Sequence, residues 1–533
     1  MGLLWYGGTI YTFQEEGHTV EAILTDGGKI IALGNVNELE KTFHKQITKR
    51  KNLQGATMLP GFVDSHLHIV GHGEKLIHLD LSPFTSKKTV LKAIKEYAAF
   101  FPSGEWIIGD GWNENAWTDD SSPISQSELN AVVPDCPILL KRICHHAIAV
   151  NGKALEIAGI TEMSPCPSGG IIEYDQNGKL TGVFKDQAQE LILHIVPKVT
   201  KSYIKEALRK AIRHAHSLGL TGGHTEDLHY YGGYRQTYEA FEEVINEEDL
   251  LFRAHLLVHY EAMDDFIQSG GKYLQQSGLI EFGSMKIFAD GALGARTAYL
   301  REPYSDDPNT KGVAIFSQKQ LNALVKKARE YHVPVAIHAI GDMAFEMVLN
   351  AIERHPLTFP GRDRIIHALL VRKDLLDRAK KLPVVFDIQP SFLTSDYPWV
   401  IDRIGQDRLT YGYAWKTMLE EGIPCAGGSD APIELLNPLY GIYCAITRKS
   451  AIDGDNTVYG EKEKLTTYEA VLLYTKGSAY AACLEKSRGM LKEGFDADFT
   501  ILEEDIFQVS PEKIPNIQVS ETVIGGVIVY GES

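Results

Sequence analysis

The sequence predicts an α/β protein: a (β/α)8 TIM barrel, a β-sandwich domain built from both termini, and an insertion after the first barrel strand. Three observations predict it. The middle of the chain alternates short apolar strands with helical stretches, the pattern of parallel β/α units. Eight of those strands run into polar residues at their C-terminal ends. The two ends of the chain share a different texture, short alternating strands separated by glycine pairs.

Taken in order, "LLWYGGTIYTF", "TVEAILTDGGKIIALG" and "ITKRKNLQGATMLPG" read as strands punctuated by hairpin glycines. They make residues 1–57 the first part of the sandwich. The barrel is assigned to 58–487, with strands "TMLPGFVDSHLH", "GLTGGHTED", "LLFRAHLLVHY", "GSMKIFADG", "VPVAIHAIGD", "DRIIHALL", "PVVFDIQPS" and "IPCAGGSDAP". A closed barrel of this kind needs eight strands, and its functional groups sit at their C-terminal ends. Two further strand-like stretches, "EWIIGDGWNENAW" and "PILLKRICHHAIAVNG", fall between the first and second barrel strands and are assigned to an insertion of about 70–200. The alternative is that one of them belongs to the barrel and displaces one of the eight. Residues 488–533, with "GMLKEGFDADFTILEED" and "QVSETVIGGVIVYGES", complete the sandwich.

A chain of 533 residues exceeds what one compact core organises. With 44% hydrophobic and 23% charged residues it is an ordinary globular composition. The formal net charge of −17 argues against nucleic acid or an anionic membrane as partner, since both are bound through clustered Lys and Arg. A small-molecule substrate is expected instead. The six cysteines (Cys136, Cys144, Cys166, Cys425, Cys444, Cys483) are scattered without CxxC pairs, which suits free thiols in a reducing compartment. The N-terminal stretch has no basic n-region and no complete h-region, and no apolar run reaches membrane-spanning length, so a cytoplasmic location is expected. A homodimer is expected only from the commonness of twofold assemblies.

In "MLPGFVDSHLH", His66 and His68 are two apart on a strand and therefore face the same side, with Leu67 turned away. Two imidazoles so placed can hold one ion. The spacing alone says little, because "AIRHAHSLG" shows it again in a helical pattern, where His214 and His216 lie about 200° apart around the axis. Joint placement carries more. His338 closes the fifth strand, His367 the sixth and Asp430 the eighth, so five imidazole and carboxylate groups from four strands converge at the barrel mouth.

"PGFVDSHLH", a histidine on each of two successive later strands, "GGSDAP" and the closing "GFDADFTILEED" together resemble the amidohydrolase superfamily of metal-dependent hydrolases. The resemblance spans nearly the whole chain. "MKIFADGALGARTAYL" and "HAIGDMA" resemble the branch that contains N-substituted formamide deformylase, which also has an insertion after the first strand. The resemblance implies that His66 and His68 bind a first divalent metal and His338 and His367 a second. It implies that Asp430 touches the first metal and the catalytic water, and that Lys286, on the fourth strand, bridges the ions after addition of carbon dioxide to form a carbamate. A buried lysine has the depressed pKa that such an addition requires; the bland alternative is a packed stem with its amine in solvent. The cofactor expected is one or two zinc ions, with iron or manganese compatible with the same ligands.

The implied reaction is hydrolysis of a carbon–nitrogen bond other than a peptide bond, a linear N-acyl or N-formyl amine first, with Asp430 as general base and then general acid. A cyclic amide, lactone or ester is the alternative at the same site, and a non-catalytic binding barrel the alternative from another class. Substrate contacts are expected of His146 in the insertion, Trp112 in "GWNENAW", and Asp290 and Arg296 on the loop after strand four. For His146 and Trp112 a purely structural place competes with that role. His224 and Glu226, ending strand two, are expected as hydrogen-bonded rim residues or supports of the ligands.

Overall fold

The computed structural model describes residues 2–99, 104–114, 117–142, 147–167, 170–197, 199–449 and 457–531. Its contacts divide the chain into two compact units, one of residues 1–71 with 201–533 and one of 72–200.

The larger unit holds the barrel. Its strands are Phe62–Leu67, Leu220–Thr225, Arg253–His259, Ile280–Phe288, Val335–Ala339, Asp363–His367, Val384–Ile388 and Cys425–Gly427, each parallel to its neighbour in that order. All eight lie within the stretches that the sequence singles out. They are rich in Val, Ile and Ala and buried on both faces, as a parallel sheet covered by helices requires.

The seam between the eighth and first strands closes through the segment after strand eight. The Asp430 N–H donates to the His66 carbonyl at 2.8 Å, and the His68 N–H to the Ala431 carbonyl at 2.8 Å. Buried Asp64 straddles the seam: its Oδ1 accepts the His66 N–H at 3.0 Å and its Oδ2 the Ser429 N–H at 2.9 Å. Gly428 is required there, because a Cβ would stand 2.6 Å from the His66 nitrogen.

Under the mouth the interior is layered. Arg364 and Asp387, both fully buried, form a bidentate pair with Nε–Oδ2 and Nη2–Oδ1 distances of 2.8 Å, and Arg364 Nη2 also reaches across to the Ser65 carbonyl at 2.6 Å. Leu257, Ala336 and Ile366 cluster as an apolar layer. The helix Lys201–Ser217 leads into strand two and buries Ile204, Leu208, Ile212 and Ala215 at helical spacing. It carries the control pair: His216 is buried and its Nε2 meets the Leu251 carbonyl at 2.7 Å, while His214 lies on another side of the helix.

The sandwich strands come from both ends of the chain, as expected. Gly2–Tyr11 pairs with Thr19–Asp26, Ile47–Asn52 and Thr57–Pro60, and Thr57–Pro60 runs antiparallel to Phe499–Leu502, which joins the two termini in one sheet. Successive side chains bury opposite faces, Trp5, Ile23 and Phe499 in one cluster and Leu4, Ala22 and Leu24 in another.

The smaller unit has its own six-stranded sheet, which includes Ile107–Trp112, Ile138–Arg142 and Ala147–Val150, the stretches assigned from sequence to an insertion. Trp112 and Trp117 lie in its hydrophobic core with Leu81, Ile94, Leu129 and Leu140.

Candidate active site

Strand one delivers Asp64, His66 and His68 to the barrel interior by simple alternation. The His68 Nδ1 lies 2.7 Å from the Glu226 carbonyl, which can only accept, so Nδ1 carries the hydrogen and Nε2 offers its lone pair. That Nε2 lies 3.4 Å from Asp430 Oδ1, and His66 Nε2 lies 3.5 Å from the same oxygen. Candidate ligand atoms of His66, His68 and Asp430 all fall within 4.8 Å of one another. Burial pulls the His68 imidazole down, but the hydrogen bond and charge of Asp430 outweigh it and push it up to about 9. Burial pushes the Asp430 carboxyl up, and His68, His367 and Lys286 together bring it below its ordinary value. Imidazole and carboxylate thus attract each other at a place where a cation fits.

The second pair is tighter. His338 Nδ1 and His367 Nε2 face each other at 2.9 Å. The outer nitrogens are engaged: His338 Nε2 meets the Gly291 carbonyl at 3.2 Å and Asp290 Oδ1 at 3.4 Å, and His367 Nδ1 meets Gln389 Oε1 at 2.7 Å. With hydrogens on both outer nitrogens, two bare lone pairs confront each other, which is repulsive unless a cation lies between them. Tetrahedral zinc with Zn–N bonds of about 2.0–2.1 Å sets ligand nitrogens roughly 3.3 Å apart, a few tenths from what is found. Burial, then the charges of neighbouring groups, lowers the pKa of His66 and His338 well below the ordinary value; burial brings His367 down to about 4. All three are neutral, the form that ligates. The residues fit a divalent metal.

Lys286 stands beside His66. It is fully buried, its Nζ lies 3.1 Å from His66 Nε2 and 4.4 Å from the Phe288 ring centre, and burial lowers its pKa.

His367 reaches the site by an irregular route. Arg364 and Ile366 point inward, so strict alternation would turn His367 outward; instead its backbone takes a left-handed conformation, φ 74°, followed by Ala368 at 45°. Asp430 is likewise left-handed, φ 57°. Non-glycine residues held this way cluster at functional sites.

The remaining sequence candidates divide. Asp290 is buried and accepts the N–H groups of Tyr299, Ile340 and Gly341 at 2.8, 3.0 and 2.8 Å, tying the loop after strand four to the backbone that follows His338. Arg296 turns to Asp306, in a fork of 3.1 and 2.9 Å. His224 is buried below the mouth beside His255, with ring centres 4.8 Å apart. Glu226 is buried, and its Oε2 accepts the Tyr230 hydroxyl at 2.9 Å and lies 3.9 Å from His68 Nδ1. Trp112 sits in the insertion core and gives its indole N–H to Glu114 at 2.9 Å. His146 lies outside the described residues. Sequence reading passed over Asp64, two residues before His66 on the same face, and Gln389, two residues after Asp387 on the inward face of strand seven. Alternation was the signal for both.

Paired imidazole lone pairs aimed at cation-sized gaps beside a carboxylate, at the mouth of a parallel eight-stranded barrel, place this protein in the class of metal-dependent hydrolases. The chain belongs to the amidohydrolase family, whose sequence profile it matches over residues 51–530. It is 49% identical over 536 residues to YtcJ of Bacillus subtilis (strain 168), whose name places it with the amidohydrolases, and the match covers 100% of both chains. To N-substituted formamide deformylase of Arthrobacter pascens it is 24% identical over 545 residues, covering 99% of this chain and 98% of that one. Its fold matches the crystal structure of an uncharacterized metal-dependent hydrolase from Pyrococcus horikoshii OT3 with a TM-score of 0.81 at 28% identity, over 96% of this chain and 99% of the other. The protein is a hydrolase acting on carbon–nitrogen bonds.

Proposed function

We infer that the protein hydrolyses a linear amide, an N-formyl or N-acyl amine, at a site of two zinc ions. The convergence of two imidazole pairs and Asp430 on one small volume supports this most directly. The family resemblance to a deformylase supports the choice of a linear amide.

His66, His68 and Asp430 would hold one ion and His338 and His367 the other. Lys286, buried with its Nζ 3.1 Å from His66 Nε2 and its pKa lowered by burial, would, once carboxylated by carbon dioxide, supply a further anionic ligand. Divalent ions held there supply a Lewis acid for the amide carbonyl and a water of lowered pKa, from about 15.7 towards about 7. The chain supplies the proton handling. Asp430 Oδ1, held within 3.5 Å of both strand-one imidazoles, accepts the proton of the attacking water and gives it to the nitrogen as the carbon–nitrogen bond breaks, which releases a carboxylic acid and an amine. The carbonyl of Glu226 keeps His68 in its ligating tautomer throughout.

The test is turnover by purified, metal-assayed protein of a panel of N-formyl and N-acyl amines beside cyclic amides, lactones and esters. A preference for the linear amides is expected. Hydrolysis of a ring or an ester with no linear amide turned over would overturn the substrate class, and protein that binds no divalent ion would overturn the site.

A further inference from the structure

We propose that Gln389 is a positioning residue that, with Phe392, aims the His367 imidazole at its metal and thereby sets how tightly that ion is held. The inference rests on His338 and His367 as a metal-binding pair.

Strand six does not orient His367 by its pleat, because this last residue of the strand takes a left-handed conformation. Its ring must be oriented from outside the strand. Two contacts from one neighbouring segment do so. Gln389, fully buried at the end of strand seven, places Oε1 2.7 Å from His367 Nδ1. Three residues on, in the helix Pro390–Asp396, the Phe392 ring lies parallel to the imidazole, 5.6 Å between centres and 15° between planes.

The amide cannot be turned over without loss. Gln389 Nε2 donates to the Asp387 carbonyl at 3.2 Å, an atom that only accepts, so the amide oxygen must be the one that faces His367. An oxygen there demands a hydrogen on Nδ1. Nε2 is thereby left bare, and it is Nε2 that faces His338 Nδ1. One backbone carbonyl, through one buried amide, selects the ligating tautomer. Asp387 is itself clamped by Arg364 on both carboxylate oxygens, so the strand that anchors this relay is held by the ion pair beneath it. The partner is a neutral amide rather than a carboxylate, so it orients the imidazole without adding charge to it.

The experiment uses the whole protein, stripped of metal and titrated with Zn2+ and Co2+ against a chromophoric chelator, as wild type, Gln389→Leu, Gln389→Asn and Gln389→Glu. Gln389→Leu removes the acceptor and is expected to weaken the His367-dependent ion by about 10- to 100-fold, with the other ion unchanged and the visible Co2+ spectrum altered. Gln389→Asn, one methylene too short to reach, is expected to weaken the same ion, which keeps the test alive should the leucine variant not fold. Gln389→Glu restores an acceptor and is expected to bind at least as tightly as wild type. Folded Leu or Asn variants with wild-type affinity at that ion would overturn the role of Gln389. A His367→Ala protein with unchanged metal content would instead overturn the ligand pair on which the proposal stands.

Discussion

Replacing Asp430 by Asn separates the two tasks assigned to it. The side chain is buried, and its Oδ1 lies 3.4 Å from His68 Nε2 and 3.5 Å from His66 Nε2, inside the triangle of candidate ligands. Asparagine keeps the shape and one oxygen that can still point at an ion, and it leaves both imidazoles in place. It cannot accept a proton. Loss of a positioned general base costs about 10^2- to 10^4-fold in rate, which is roughly 3–5 kcal/mol of barrier at about 1.4 kcal/mol per tenfold. The expected result is therefore metal retained at saturating concentration, kcat lowered by that factor, KM changed only a few-fold, and an acid limb of the pH–rate profile that disappears. The assay is steady-state turnover of the linear amide that wild type cleaves fastest, with metal content measured on the same samples. Full metal occupancy with a rate within about threefold of wild type would refute the proton-transfer role.

Four other changes test the scaffold. Asp290→Ala leaves the N–H groups of Tyr299, Ile340 and Gly341 without their acceptor, at a cost of about 3 kcal/mol or more, and is expected to lower the denaturation midpoint and loosen the ion held by His338. Asp387→Leu strands a fully buried arginine and should destabilise by about 3–5 kcal/mol, while the double change Arg364→Met with Asp387→Leu recovers most of it in urea unfolding. Asp396 has its pKa pushed up to about 7 by burial, so the folded state holds its proton more tightly than the unfolded chain does; its contribution is full below about pH 4 and is lost as the pH rises through 7. Asp396→Asn should therefore gain on wild type in thermal stability between pH 5 and 8, by up to about 1.4 kcal/mol for each unit of the shift traversed, whereas a pH-independent difference would refute the assignment. Asp64→Ala removes the acceptor for the His66 and Ser429 N–H groups and is expected to lower both stability and metal content, read by thermal denaturation and metal analysis.

Regular geometry is what the sequence discloses. All eight barrel strands could be read from apolar runs with polar ends, and Asp64, His66 and His68 share a face because a strand has period two. The same rule misplaces His367: with Arg364 and Ile366 inward it belongs outside, and nothing in "RIIHALL" announces the left-handed backbone that brings it in. His367 is legible only from its place at the end of a barrel strand, in company with His338 and Asp430 at the ends of theirs, not from alternation along its own strand. Asp290 and Arg296 show the second limit. Both lie beyond a strand end, where substrate contacts are common, yet one is taken up by three backbone amides and the other by Asp306, partners that depend on how loops distant in sequence fold back. Gln389 was visible as the second inward polar residue of "VVFDIQPS", but its significance depends on a ring delivered from the neighbouring strand.

The seam that Asp64 spans gives the site an order of assembly. His66 and His68 belong to the first strand and Asp430 follows the last, so the three meet only after the whole barrel has wound round and shut. A growing chain passes through a long interval in which the two histidines exist without the carboxylate, and any ion they attract is then held by an incomplete set. Completing the set and closing the sheet are one event, so an ion bound by all three is linked to closure and stabilises it in proportion to how far its concentration exceeds its dissociation constant. An ion held by all three would thereby make metal supply a folding variable for this protein.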